Sequence, residues 1–235
     1  YLLIHDDIED GDLIRRDMKT LWAQIGLPNA LNVSDFMISR AYRLITEADL
    51  PADVNLRLCQ AFSYVLQRTV EGQALDINLR GDAEVSLETY YRIVTCKTAF
   101  YLALPWVGGA MIAGASDDEV KPLWKLGRCL GPAFQIRDDL LNLSASEQDA
   151  DVAPGITSGA YGKERGGDIA EGKRTLIIID LLRKCTAGEQ EEVLEILHQD
   201  RQLNTAAEIE RVIKLVEHYG CDRYAERICL DKAEE

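Results

Sequence analysis

Apolar residues recur at intervals of three and four through most of the chain, as in VNLRLCQAFSYVLQRTV (54–70) and EEVLEILHQ (191–199). That spacing lines one face of an α-helix, whereas a half-buried strand would alternate with period two. No stretch of useful length alternates in that way, and neither an internal repeat nor a low-complexity linker interrupts the pattern. The pattern predicts helices over about 1–11, 33–48, 53–79, 86–115, 117–146, 172–186, 188–200, 204–219 and 221–233. With 235 residues, six prolines and seventeen glycines, the expected fold is all-α, a single domain over residues 1–235 with a sizeable core.

The uncharged run AFYLALPWVGGAMIAGA (99–115) changes this picture little. A membrane span needs about 20 apolar residues, and Pro105 with the Gly108-Gly109 pair interrupts this shorter run. It reads as a central core helix, with no stable membrane insertion. The formal net charge of −14 argues against nucleic acid as a partner, because phosphate backbones are bound through basic faces. An anionic substrate stays compatible if bound cations invert the local potential. The six cysteines show neither zinc-ligand nor redox spacing and read as reduced core residues of a cytoplasmic protein.

Two aspartate patches carry the candidate chemistry: HDDIED (5–10) and IRDDLLN (136–142). Helical spacing of four puts Asp6 and Asp10 on one face of one helix, and Asp138 and Asn142 on one face of another. Clustered carboxylates repel, so each patch implies either a solvated surface or a hard divalent ion held by oxygen, magnesium above all. After the first patch GDLIRRDMK supplies Arg15 and Arg16, guanidinium groups suited to gripping a diphosphate. After the second comes YGKERGGDIAEGKRTLIIIDLL, where Gly162 and Gly172 each precede a lysine, Asp168 lies between, and Thr175 opens an apolar run. The histidines, His5, His198 and His218, are scattered, and no serine or cysteine nucleophile is signalled.

In this order the blocks resemble the trans-isoprenyl diphosphate synthases, the polyprenyl synthetase family that includes short-chain geranylgeranyl and farnesyl diphosphate synthases. The first patch is similar to that family's DDxxD with its paired arginines. FQIRDD (134–139) with the glycine-lysine loops is similar to its second aspartate region, and EGQALD (71–76) and CKTAFY (96–101) to two further blocks. The resemblance covers nearly the whole chain. It implies a helical bundle around a central apolar cavity for the growing tail, with Mg2+ as cofactor and an allylic diphosphate and isopentenyl diphosphate as substrates. Asp6 and Asp10 then stand as metal ligands supported by Asp7, with Asp138 opposite. Arg15, Lys97 and Lys163 stand at the allylic diphosphate, Arg16 at isopentenyl diphosphate, and Lys173 in the second glycine-lysine loop. Gln73, Asp76, Thr98 and Gln135 match polar positions of the same cavity. Tyr1, beside Leu2, precedes Asp6 by five residues, about 7.5 Å along a helix, where an aromatic ring would cap the tail cavity and keep the product short. A homodimer is implied as well.

The pattern also departs from the family. Asn142 stands where the second motif often ends in aspartate, and Asp17 where a glycine commonly follows the arginines. The loop at about 147–171 is expected to act as a lid. The chain opens at Tyr1 inside a predicted helix, and nothing matches the family's upstream glycine, lysine and arginine motif, so the domain is expected to lack its N-terminal helices. A class I terpene synthase is the alternative, although Asp138, Asn142 and Ser146 do not supply the asparagine, serine and glutamate of that class. A non-catalytic regulatory subunit is the third reading, against which both patches keep their leading aspartate pairs.

Overall fold

A computed structural model describes residues 1–16, 18–144 and 165–235. Among these the architecture is all-α, apart from one two-residue hairpin. The chain divides into two compact units, Tyr1–Cys59 with Ser144–Arg165, and Gln60–Leu143 with Gly166–Glu235.

In the first unit, α1 (Leu2–Glu9) ends where the Asp10 N–H still reaches Asp6 O and Gly11, at φ 69°, turns the chain. The hairpin β1 (Ile14–Arg15) and β2 (Met18–Lys19) follows, with Ile14 opposite Lys19 and Arg15 opposite Met18. Two further helices, α2 (Leu21–Ile25) and α3 (Leu27–Thr46), lie either side of Gly26. The pattern predicts a helix only from residue 33, because Pro28, Asn29 and Asn32 read as breakers before it. The helix begins earlier because Pro28 fits its first turn, where the missing N–H has no partner to lose. Ala30 and Ser34, one turn apart and buried, form the face of α3 that meets α1, and Ser34 Oγ donates to Tyr1 O at 3.4 Å.

Helix α4 (Ala52–Leu79) begins in the first unit and contributes its remaining turns to the second. The run predicted as one helix over 86–115 is three segments: α5 (Leu87–Val94), a π-helical turn over Thr95–Ala99, and α6 (Phe100–Ile112). A single wide turn leaves the apolar spacing on either side nearly unchanged, which is why periodicity does not show it. Then come α7 (Asp117–Ser144), α8 (Gly167–Ala170), α9 (Leu176–Lys184), α10 (Ala187–His198), α11 (Ala206–Tyr219) and α12 (Cys221–Glu234).

The core of the second unit is centred on α9, in which every residue from Leu176 to Leu182 is buried. A helix apolar nearly all round must be surrounded, and α5, α11 and α12 pack on it. Its start is fixed by Thr175, whose side chain accepts the Ile178 N–H at 3.3 Å. Thr186 with Glu189 and Thr205 with Glu208 form reciprocal capping boxes on α10 and α11. Among the described residues, no helix is long and apolar enough to cross a membrane.

Candidate active site

The first aspartate patch lies wholly in the first unit. Asp7, Asp10 and Asp12 are buried, with 5%, 4% and 4% exposure, and Asp6 is half-buried. The sequence puts Arg15 beyond the predicted helix over 1–11, and the hairpin folds it back onto the carboxylates. Its Nη2 donates to Asp6 Oδ2 at 2.9 Å and lies 3.8 Å from Asp12 Oδ2, while its Nε donates to Asp7 Oδ1. Trp22 Nε1 fixes the backbone beneath, donating to Asp7 O at 3.0 Å and Asp12 O at 2.8 Å, and Thr20 Oγ1 donates to Asp12 O at 2.7 Å.

Burial raises the Asp7 carboxyl above its usual range, and Arg15 opposes that only in part. The Arg15 guanidinium is itself disfavoured by burial, yet its bond to Asp7 and the charges of Asp7, Asp6 and Asp12 raise its pKa overall. An all-oxygen donor set of closely spaced carboxylates suits a hard divalent cation. Arg16 is exposed at the hairpin turn in the left-handed region, φ 52°. The Tyr1 ring packs 4.7 Å from that of His5, half-buried like Leu2.

The second patch belongs to the second unit. Asp138 is half-buried on α7; Asp139 is buried, receiving hydrogen bonds from Gln135 Nε2 at 3.0 Å and Tyr90 Oη at 3.5 Å. Burial and then the neighbouring charge of Asp168 push the Asp139 carboxyl well above the usual carboxylate range. Asn142, read from the sequence as a weak metal ligand, is engaged otherwise. Its Oδ1 accepts the Asp168 N–H at 3.1 Å and its main-chain oxygen the Gly166 N–H at 2.9 Å, clamping the start of α8.

Lys173 Nζ is paired with Asp168 Oδ1 at 3.1 Å and Glu171 Oε2 at 2.6 Å. Gly172 before it, at φ 70°, lies against Leu197 O and Arg80 O, leaving no room for a side chain. Lys97 Nζ lies 3.3 Å from Asp76 Oδ2, and Thr98 Oγ1 donates to Gln135 Oε1 at 2.9 Å, so four predicted positions meet in two pairs. Gln73 is only 8% exposed and neither its Oε1 nor its Nε2 has a hydrogen-bond partner. Such buried orphans are rare and fit a polar ligand.

Sequence reasoning missed Asp12, Tyr90, Glu171 and Arg174. Glu171 is paired with Arg201 Nη1 at 3.1 Å as well as with Lys173. Buried Arg174 ties the glycine-lysine loop down, donating to Gly172 O at 2.7 Å and Asp82 O at 2.8 Å and meeting His198 Nε2 at 3.1 Å. The position of Glu171 and Arg174 on either side of Gly172-Lys173 was the available signal. Lys163, Asp17, Ser146 and most of the expected lid lie outside the described residues.

The described residues thus form an all-α fold that carries acidic clusters, lysines paired with carboxylates and an unsatisfied amide. Residues 1–216 match the family model for polyprenyl synthetase, and the chain belongs to that family. It is 33% identical to the short chain isoprenyl diphosphate synthase of Methanothermobacter thermautotrophicus, over 98% of this chain and 66% of that protein. To the geranylgeranyl diphosphate synthase of Sulfolobus acidocaldarius it is 34% identical, over 84% of this chain and 57% of that one. Among solved structures, geranylgeranyl pyrophosphate synthase from Corynebacterium glutamicum, complexed with isoprenyl diphosphate and magnesium, has a TM-score of 0.85 at 26% identity, covering 99% of this chain and 67% of that one. The chain thus spans 57% and 66% of the lengths of the two curated relatives.

Proposed function

We propose that this chain is a magnesium-dependent short-chain prenyltransferase that condenses an allylic diphosphate with isopentenyl diphosphate, releasing diphosphate and giving a geranylgeranyl or farnesyl product. The observation that carries the reading is the crowding of Asp6, Asp7 and Asp12 around Arg15, an all-oxygen donor set of the kind a hard divalent cation takes. Asp6, Asp10 and Asp138 are assigned to the metal, with Asp7 held in place by Arg15. Magnesium, when bound, neutralises the charge that grows on a departing diphosphate.

The chain's own groups supply the rest. Arg15, Lys97 and Lys163 are assigned to the allylic diphosphate, where preorganised cationic donors stabilise developing charge better than water does. Arg16 and Lys173 are assigned to the second diphosphate and to the glycine-lysine loop. Thr98, fixed by Gln135, and Gln73 present neutral dipoles beside the reacting carbons, while Asp76 fixes Lys97. The double bond of isopentenyl diphosphate attacks the allylic cation, a new carbon-carbon bond forms, and the proton lost passes to the released diphosphate. Tyr1 and Leu2 are assigned to limiting chain length. The resemblance extends to a homodimer in the cytoplasm.

Incubation with magnesium chloride, farnesyl diphosphate and isopentenyl diphosphate tests this reading. Elongated diphosphates are expected, with longer products from Tyr1→Ala. Hydrocarbons formed without isopentenyl diphosphate would indicate a terpene synthase instead, and no turnover of either kind would indicate a non-catalytic subunit.

A further inference from the structure

The π-helical turn over Thr95–Ala99 is closed by the Phe100 N–H, which reaches back five residues to Thr95 O. Such a turn carries one residue more than an α-turn, is rare, and marks functional sites more often than chance. It persists where its surroundings hold it, and here two helices of the second unit flank it.

On α4, Gly72 lies so close that a Cβ there would come within 2.5 Å of Lys97 N, 2.9 Å of Cys96 Cβ and 3.0 Å of Ile93 O. On α7, a Cβ at Gly131 would meet Ala99 Cα at 2.5 Å and Ala99 N at 2.9 Å, and one at Gly127 would meet Ala103 Cβ at 2.5 Å and Ala99 O at 2.8 Å. Ala99 and Ala103 are fully buried, so neither side has free space to give way.

The polar contacts of the turn come from the same two helices in the same register. Asp76, four residues after Gly72, faces Lys97 Nζ at 3.3 Å. Gln135, four residues after Gly131, accepts from Thr98 Oγ1 at 2.9 Å. Positions i and i+4 share a helix face, so each helix presents a glycine that admits close approach and, one turn on, a side chain that takes hold of the turn. Two consecutive residues of the chain are thereby fixed by two different helices.

We infer that Gly72 and Gly131 are positioning residues: they set the wide turn and, through it, aim Lys97 and Thr98. The functional part of this inference rests on the prenyl-transfer reading; the structural part stands without it. In Gly131→Ala the turnover number should fall on the order of tenfold while the KM for isopentenyl diphosphate holds, the signature of an interaction made only in the transition state. Thr98→Val should lower turnover in the parent chain and add nothing in the Gly131→Ala background, and Lys97→Met should behave in the same way with Gly72→Ala. Amide exchange followed by mass spectrometry supplies a second readout, with residues 95–100 of each alanine variant exchanging roughly tenfold faster and distant helices unchanged.

Gly109→Ala, where a Cβ meets no atom within 4 Å, should change neither readout. Should the alanine variants fail to fold, Ala99→Gly loosens the same contact without a clash and should show smaller shifts in both. Full additivity of Thr98→Val with Gly131→Ala, or exchange that rises uniformly or not at all, would overturn the inference. Localised exchange in the alanine variants of a parent chain that makes no elongated product would instead overturn the prenyl-transfer reading and leave the clamp standing.

Discussion

Arg15 shows how much one side chain is asked to do in the first unit, where it bonds to Asp6 and Asp7 and lies close to Asp12. Removing it takes the guanidinium away from largely buried carboxylates, and breaking a buried ion pair from one side costs on the order of 3 kcal/mol. Arg15→Ala should therefore lose about that much stability by urea unfolding in metal-free buffer, with part of the loss recovered in magnesium. Equal stability with and without Arg15 would mean that these carboxylates are solvated rather than confined. Asp6, Asp10 and Asp138 were legible as candidates because carboxylates at helical spacing are costly without a cation, a cost visible in one dimension. Glu171 gave only the weaker signal of its place beside Gly172-Lys173, because its partner Arg201 lies thirty residues away. Gly72 and Gly131 carry no signal in the pattern, since their meaning is the backbone they admit.

At the scale of elements, strong amphipathic runs are read well and their junctions poorly. Helices α4, α7, α11 and α12 lie close to where periodicity puts them, because each buries one continuous stripe. The π-turn, the short α2 and the early start of α3 escape, because each is decided by packing or by a single proline over a few residues. The start of α10 offers a test with a definite sign. Hydrogen bonds from Tyr219 and then from Thr186 lower the Glu189 carboxyl from 4.5 to about 2. A depressed folded-state pKa contributes stability that is present above the ordinary value and lost as pH falls through the folded one. The melting temperature of the parent chain should thus exceed that of Glu189→Gln above pH 4.5, with the gap closing towards pH 2. A gap independent of pH over that range would show that the charge on Glu189 contributes nothing.

For the whole molecule, the all-α class and the family follow from ordered motifs spread along the chain, which no local ambiguity erases. The grouping of residues into two compact units has no counterpart in the pattern, since periodicity shows that a face is buried but not against which helix. The prenyl-transfer reading makes both acidic patches ligands of the metal ions on one diphosphate, and so makes their effects inseparable. Magnesium with inorganic pyrophosphate should raise the melting temperature, equivalent to about 2.7 kcal/mol at a hundredfold excess over Kd, and a chelator should abolish the rise. Asp6→Asn and Asp138→Asn should each remove most of it alone. Half the rise surviving in each variant would point to two independent anion sites.

A crystal structure of the chain with magnesium and an unreactive thiolo analogue of the allylic diphosphate tests the central claim most directly. The account predicts one diphosphate whose magnesium ions are coordinated at about 2.1 Å by Asp6, Asp10 and Asp138. Separate anions at the two patches, or a diphosphate that touches only one of them, would contradict it.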